Sequence, residues 1–220
     1  MKIQKKFYTT LIIAALLSFG TQLNALAQAP EPPIPIELLT GTNSLYFQMV
    51  VKKKFTPESR FGFFSVATYT VTWEDHSDID LTLPAQIDYT FFKGFGVLAG
   101  GRINNFIGFD PMAGLQHNYA SRKILAVTVA SYFLNGNNDV ELFGLYEYKP
   151  PLNEKWSLYS RLQFIYAQGL NEQQHNRSYL YLRAGAKINQ FAFGLGANLD
   201  RYGENKIFKD NYGPFVKWDF

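Results

Sequence analysis

The 220-residue chain has no cysteine, only three histidines and, beyond its first twenty residues, no apolar run of membrane-helix length. Without cysteine there is no disulfide, no thiolate nucleophile, no lipoprotein anchor and no cysteine-based metal centre. The scarcity of histidine narrows imidazole chemistry to His76 and His175, expected in loops, and His117, expected on the apolar side of a strand. An excess of one charge is also lacking. The 21 Lys and Arg against 18 Asp and Glu owe their surplus to Lys2, Lys5 and Lys6. These lysines precede an apolar core, Leu11 to Phe19, and a small-x-small site, Ala25-Leu26-Ala27. Residues 1–27 are therefore expected to be a cleaved secretory signal peptide, because a cut after Ala29 would leave Pro30 first. The mature chain is then neutral, with no basic footprint for nucleic acid. If it enters a membrane it must do so by strands, since only helices and closed barrels satisfy the backbone in lipid.

What is present is alternation. In 79–92, Ile79, Leu81, Leu83, Ala85, Ile87, Tyr89 and Phe91 interleave with Asp80, Thr82, Pro84, Gln86, Asp88 and Thr90. The same period of two recurs about every 16 residues, which suits strands of about ten residues plus a connection. It predicts strands near 44–55, 60–74, 79–92, 95–105, 109–120, 124–134, 139–149, 156–168, 178–188, 191–202 and 212–220. FGFFSVATYTVTW and ILAVTVASYFL are apolar on both faces. Pro84 and Pro111 each remove a ladder hydrogen bond and are expected at bulges or strand ends. Short links at 56–59, 93–94, 121–123 and 189–190 alternate with longer ones at 75–78, 106–108, 135–138, 171–177 and 203–211. Single-chain bacterial barrels have even strand numbers, so Ile36 to Thr40 is recruited as one more strand. The expected fold is all-β: a transmembrane up-and-down antiparallel β-barrel of about 12 strands, with 10 as the alternative. Residues 28–40 form a proline-rich tail or weak first strand, and 41–220 the barrel. Aromatics at 17% suit interface girdles, to which Tyr46, Tyr69, Trp73, Tyr89, Tyr119, Trp156, Tyr166, Tyr202 and Trp218 are assigned, with a place in the lumen, stacking on sugars, as the alternative for some of them.

Parity places Asp80, Asp88, Arg102, Asn104, Glu141, Glu147, Arg161, Gln163, Arg183, Lys187, Asp200, Lys217 and Asp219 in the lumen. Their mixed signs fit either a cross-linked interior or a polar constriction. For the constriction the candidates are Glu141, Glu147, Arg161, Arg183 and Lys187. No catalytic residue and no metal site are assigned, so an enzyme is not expected. Asp75-His76-Ser77-Asp78 holds the residue types of hydrolysis but reads as a solvated turn. A metal would need three or four converging ligands; Glu74, Asp75, Asp78 and His175 could supply a loop cation site, but none is assigned. Gly94-Phe95-Gly96 opens no helix and so is no phosphate loop. No cofactor is expected.

The chain finishes Tyr212-Gly213-Pro214-Phe215-Val216-Lys217-Trp218-Asp219-Phe220, an amphipathic strand with an aromatic last residue. With the signal peptide and the repeated strands, this resembles small outer-membrane β-barrel proteins of Gram-negative bacteria. More loosely it resembles uncharacterised porin-like barrels containing stretches such as Asn176-Arg177-Ser178-Tyr179 and Phe193-Gly194-Leu195-Gly196. The resemblance implies location in the bacterial outer membrane, contact with its lipid, and insertion by the outer-membrane assembly machinery, with Phe220 and Trp218 as the insertion signal. Two functions follow: a narrow pore or small-solute channel with a charged lumen, or a non-conducting structural or adaptor barrel partnered by another membrane protein.

Overall fold

A computed structural model describes residues 33–105 and 108–220. The signal peptide, its cleavage site and the start of the 28–40 segment lie outside the described residues. Twelve antiparallel strands are described: β1 (Pro35–Thr40), β2 (Ser44–Lys54), β3 (Phe61–Thr72), β4 (Ile79–Phe92), β5 (Phe95–Asn104), β6 (Gly108–Ala120), β7 (Ile124–Phe133), β8 (Asp139–Tyr148), β9 (Trp156–Gly169), β10 (His175–Ile188), β11 (Phe191–Tyr202) and β12 (Ile207–Asp219). Each pairs with its neighbours in sequence, and β1 pairs with β12 to close the barrel. The alternative of ten strands fails because 95–120 holds two strands, paired from Phe95↔His117 to Asn104↔Gly108. Ile36 to Thr40 does form the first strand, and Pro35 joins it.

The closing seam is short, running from Pro35↔Asp219 to Leu39↔Phe215. Backbone hydrogen bonds extend it by one residue, with Ile34 and Phe220 each donating to the other's carbonyl. At the same end, Lys93 (φ 42°) and Gly94 (φ 88°) make the two-residue turn between β4 and β5. Positive φ at both positions matches the right-handed twist of the flanking strands, and glycine takes the second at no steric cost.

Several boundaries differ from expectation. β10 begins at His175 and β12 at Ile207, so the links expected at 171–177 and 203–211 shrink to 170–174 and 203–206. Polar residues break the alternation at these starts: His175, Asn176, Arg177 and Ser178 open β10, and early in β12 outward Asp210 pairs with Arg201 of β11 at 2.5 Å while Lys209 reaches Asp78 at 3.0 Å. The link 149–155 is the longest connection and lies at the end of the barrel that carries the chain terminus, so loop asymmetry is weaker than the sequence suggests. Neither proline sits at a bulge. Register shifts occur between Thr90 and Phe92 and between His175 and Arg177. Pro84 interrupts the β3–β4 ladder between Phe64↔Gln86 and Thr68↔Thr82 without shifting it. Pro111 lies just beyond Met112↔Phe133, where the β6–β7 ladder stops.

The strand period sorts side chains as lipid demands, with apolar residues out and charge in. Leu83, Ile87, Leu115, Leu162, Leu195 and Val216 stand exposed on the outer face. Trp218 packs against Phe191 and Phe220 at the terminal rim. Tyr46 and Tyr202 leave the expected girdle: Tyr46 is buried inside and Tyr202 lines the lumen. The two strands that read apolar on both faces, β3 and β7, do so because their inward residues build an internal apolar wall. Phe64, Val66, Val127, Val129 and Phe133 pack there with Leu98, Met112, Phe143 and Leu145.

Candidate functional site: the lumen

Up-and-down topology gives the lumen two ends, one with the termini and one with the links after odd-numbered strands. The loop half holds a cavity of about 570 Å³, entered past Asn137 and Glu172. One side of it is the apolar wall, with Phe64, Val129 and Phe133. Two guanidiniums also line it. Arg102, on β5, donates to Glu141 Oε2 at 2.6 Å and approaches Asp110 Oδ2 at 3.4 Å. Its guanidinium lies 4.1 Å from the Phe133 ring centroid, a cation–π contact. Arg177, on β10, reaches Asp80 Oδ2 at 3.1 Å and Asp200 Oδ1 at 2.9 Å. Tyr202 and Tyr181 donate to the same two carboxylates, each at 2.8 Å.

The terminal half is filled. Glu37, on β1, accepts from Arg161 Nη2 at 2.7 Å and from Arg183 Nε at 2.9 Å, all on Oε1. These three side chains are at most 2% exposed. Arg183 also lies within cation–π reach of Tyr46 and Phe215. Beside them Glu147 accepts from Lys217 at 2.9 Å, Lys149 at 2.7 Å and Tyr159 at 2.8 Å. At the rim Asp219 joins Lys217 at 3.1 Å and Lys187. A pocket left among Glu37, Gln48, Arg161 and Lys217 measures about 20 Å³, room for about one water. Burying such triads is not itself a source of stability. Breaking one is costly, because it strands an uncompensated charge.

This plug needs a gap on the neighbouring strand. A Cβ on Gly196, of β11, would lie 2.6 Å from Leu39 Cδ1 and 2.8 Å from Arg183 Cδ. The glycine makes room for the arginine to lie flat against the wall.

The five residues assigned to a constriction are thus divided by depth. Arg161 and Arg183 meet on Glu37, Glu147 heads the neighbouring cluster, and Lys187 sits at the terminal rim on Asp219. Glu141 lies apart, in the loop half with Arg102. Glu37 escapes the sequence reading because β1 offers only Pro35–Thr40 from which to take a parity. The signal for it was the pattern Ile36-Glu37-Leu38, with a lone charge between outward apolar residues.

The histidines are dispersed. His117 faces Phe95 at 4.4 Å between ring centroids. His175, expected in a loop, opens β10, with Nδ1 against the Gly203 carbonyl at 2.8 Å and Nε2 against Ser178 Oγ at 3.0 Å. That contact straddles the bulge between His175 and Arg177 and holds it closed. In the 73–78 loop, Ser77 donates both its backbone N–H and its hydroxyl to Asp75 Oδ1. These bonds hold the Asp75 carboxyl below its usual pKa. Asp78 is taken by Lys209, so Glu74, Asp75, Asp78 and His175 form no metal-holding group among the described residues.

No protein-family model matches the chain, and no curated protein matches it. Among solved structures it is similar to the NanC porin, at 10% identity over 86% of this chain and 100% of that one, with a TM-score of 0.49. It is also similar to the KdgM porin, at 10% identity over 85% and 98% of the two chains and a TM-score of 0.46. The beta domain of the Bordetella autotransporter BrkA shares 10% identity over 87% of this chain and all of that one, with a TM-score of 0.40. In architecture the chain is a closed antiparallel β-barrel of twelve strands.

Proposed function

We propose that the protein is an outer-membrane channel of low basal conductance. It takes a small solute from the outside into the loop-half cavity and passes it through the side-chain plug. The observation that carries this reading is the material of the plug. Every described connection between strands has seven residues or fewer, so the lumen is obstructed by side chains of the wall and not by an inserted loop. Side chains reorient on fast timescales without any strand having to move. Arg161, Arg183 and Glu37 then form the constriction, with Glu147, Lys217 and Lys187 beneath it, while Glu141 belongs to the cavity above. The apolar outer face and the aromatic terminal strand support placement in the outer membrane. Phe220 and Trp218 serve as the insertion signal, and a chain lacking Phe220 should reach the outer membrane in much lower yield.

The second reading, a non-conducting adaptor barrel, is favoured by the near-complete burial of Glu37, Arg161 and Arg183. Refolded chain starting at Gln28, placed in a planar bilayer, separates the two. A channel shows small discrete current steps, and the double variant Arg161→Gln, Arg183→Gln enlarges them several-fold. Silence from both proteins, with both folded, refutes the channel and turns attention to partners co-purifying from detergent-solubilised membranes.

A further inference from the structure

The charges of the lumen are segregated along its axis. In the loop half, among the described residues, Asp80, Asp110, Asp139, Glu141, Glu172 and Asp200 face only Arg102 and Arg177. Lys209, near the mouth, is matched by Asp78. Each guanidinium already serves two carboxylates. Asp139 is left with no cation: its Oδ2 accepts from Asn135 Nδ2 at 2.9 Å, and its Oδ1 is buried without a hydrogen-bond partner. Gln86 Oε1, across the same cavity, is also buried and unpartnered. Asp139 and Gln86 are each only 6% exposed. A buried acceptor without a donor is costly, and two of them on one cavity ask for a donor-bearing occupant. The orphaned donor there, Arg102 Nε, belongs to a guanidinium stacked on the Phe133 ring. The apolar wall shares strands with several of these carboxylates, Met112 with Asp110 on β6 and Phe143 with Asp139 and Glu141 on β8, and its burial rewards a hydrocarbon or aromatic surface beside the charge.

We infer that the loop-half cavity binds a small organic cation with an apolar body, the ammonium held by Asp139 and the body laid on the apolar wall at Phe64, Val129 and Phe133. A cavity of about 570 Å³ falls in the size range of small-ligand pockets. Its excess negative charge raises the local concentration of cations. Beneath it, Lys52, Lys149, Arg161, Arg183, Lys187 and Lys217 outnumber Glu37, Asp88, Glu147 and Asp219, so a cation rests above the plug. The inference names the solute class of the proposed channel, and it is tested without a bilayer so that the two stand or fall separately.

The probes are phenethylammonium, its anionic counterpart phenylpropionate, and methylammonium, titrated calorimetrically into the refolded barrel. Phenethylammonium binds saturably, and Asp139→Asn weakens it about tenfold, the worth of one charge-assisted hydrogen bond. Glu172→Gln, in an exposed loop where folding is not at stake, weakens it less. Val129→Asn weakens phenethylammonium and leaves methylammonium as it was. Equal or tighter binding of phenylpropionate overturns the inference, as does an unchanged affinity in both Asp139→Asn and Glu172→Gln. A barrel that conducts but binds none of the probes loses only this solute class. One that binds phenethylammonium but never conducts loses only the channel.

Discussion

The loop half and the terminal half of the lumen share the same strands and differ in what those strands turn inward. In the loop half, guanidiniums and carboxylates border an open cavity, and although Asp110 and Asp200 are buried, the side chains of Arg177 and Asp80 are 22% and 15% exposed. In the terminal half, Glu37 and Arg183 are almost wholly removed from water. An ion pair in the first setting gains little and costs little. In the second, both desolvation and attraction are large, so the pair matters chiefly when it is broken. Charge in the loop half is therefore available to a ligand, and charge in the terminal half is committed to the wall.

That contrast can be broken by matched substitutions, read as urea unfolding free energies of the refolded barrel. The largest effect belongs to Glu37→Gln, which leaves Arg161 and Arg183 buried without a counter-charge and should cost about 3–5 kcal/mol. Asp139→Asn, in the loop half, strands no counter-charge because Asp139 has no cation partner, and should stay within about 1 kcal/mol of the parent. Equal costs for these two would erase the distinction between the halves. Lys217→Met removes one of three donors to Glu147 while Lys149 and Tyr159 remain; a loss of about 1.5–3 kcal/mol follows. Gly196→Ala forces a methyl against Leu39 and Arg183. About 1–3 kcal/mol is expected for that overpacking, together with altered current steps if the plug gates conduction. The smallest effect is Phe133→Leu, which keeps the apolar wall but removes the ring beneath Arg102, at about 0.5–1 kcal/mol.

Much of the barrel is legible in the sequence because period-two alternation is the physical requirement of a wall with lipid outside and charge inside. Leu81, Leu83 and Ile87 against Thr82, Gln86 and Asp88 could sit no other way. The evenness of the strand count led to β1 although its own pattern is too short to prove it. Parity, however, gives the face of a residue and not its partner across the lumen. Parity puts Arg161 and Arg183 in the interior, but nothing local tells that they meet on Glu37, or that Glu141 lies at another depth. The balanced total of lumen charge likewise concealed an acidic cavity above a basic plug. Strands β3 and β7 misled in a different way, since their inward residues face an apolar wall and erase the alternation.

The register between β9 and β10 has a consequence for the order of assembly. Arg161 and Arg183 are directly paired across that ladder, an arrangement of like charges that disfavours the hairpin. Their relief comes from Glu37, which is 124 and 146 residues away along the chain and arrives only when the first strand meets the last. Contacts of such separation form late. An unclosed sheet thus carries a repulsion that closure removes, and the final seam draws part of its driving force from a conflict installed in the middle of the chain.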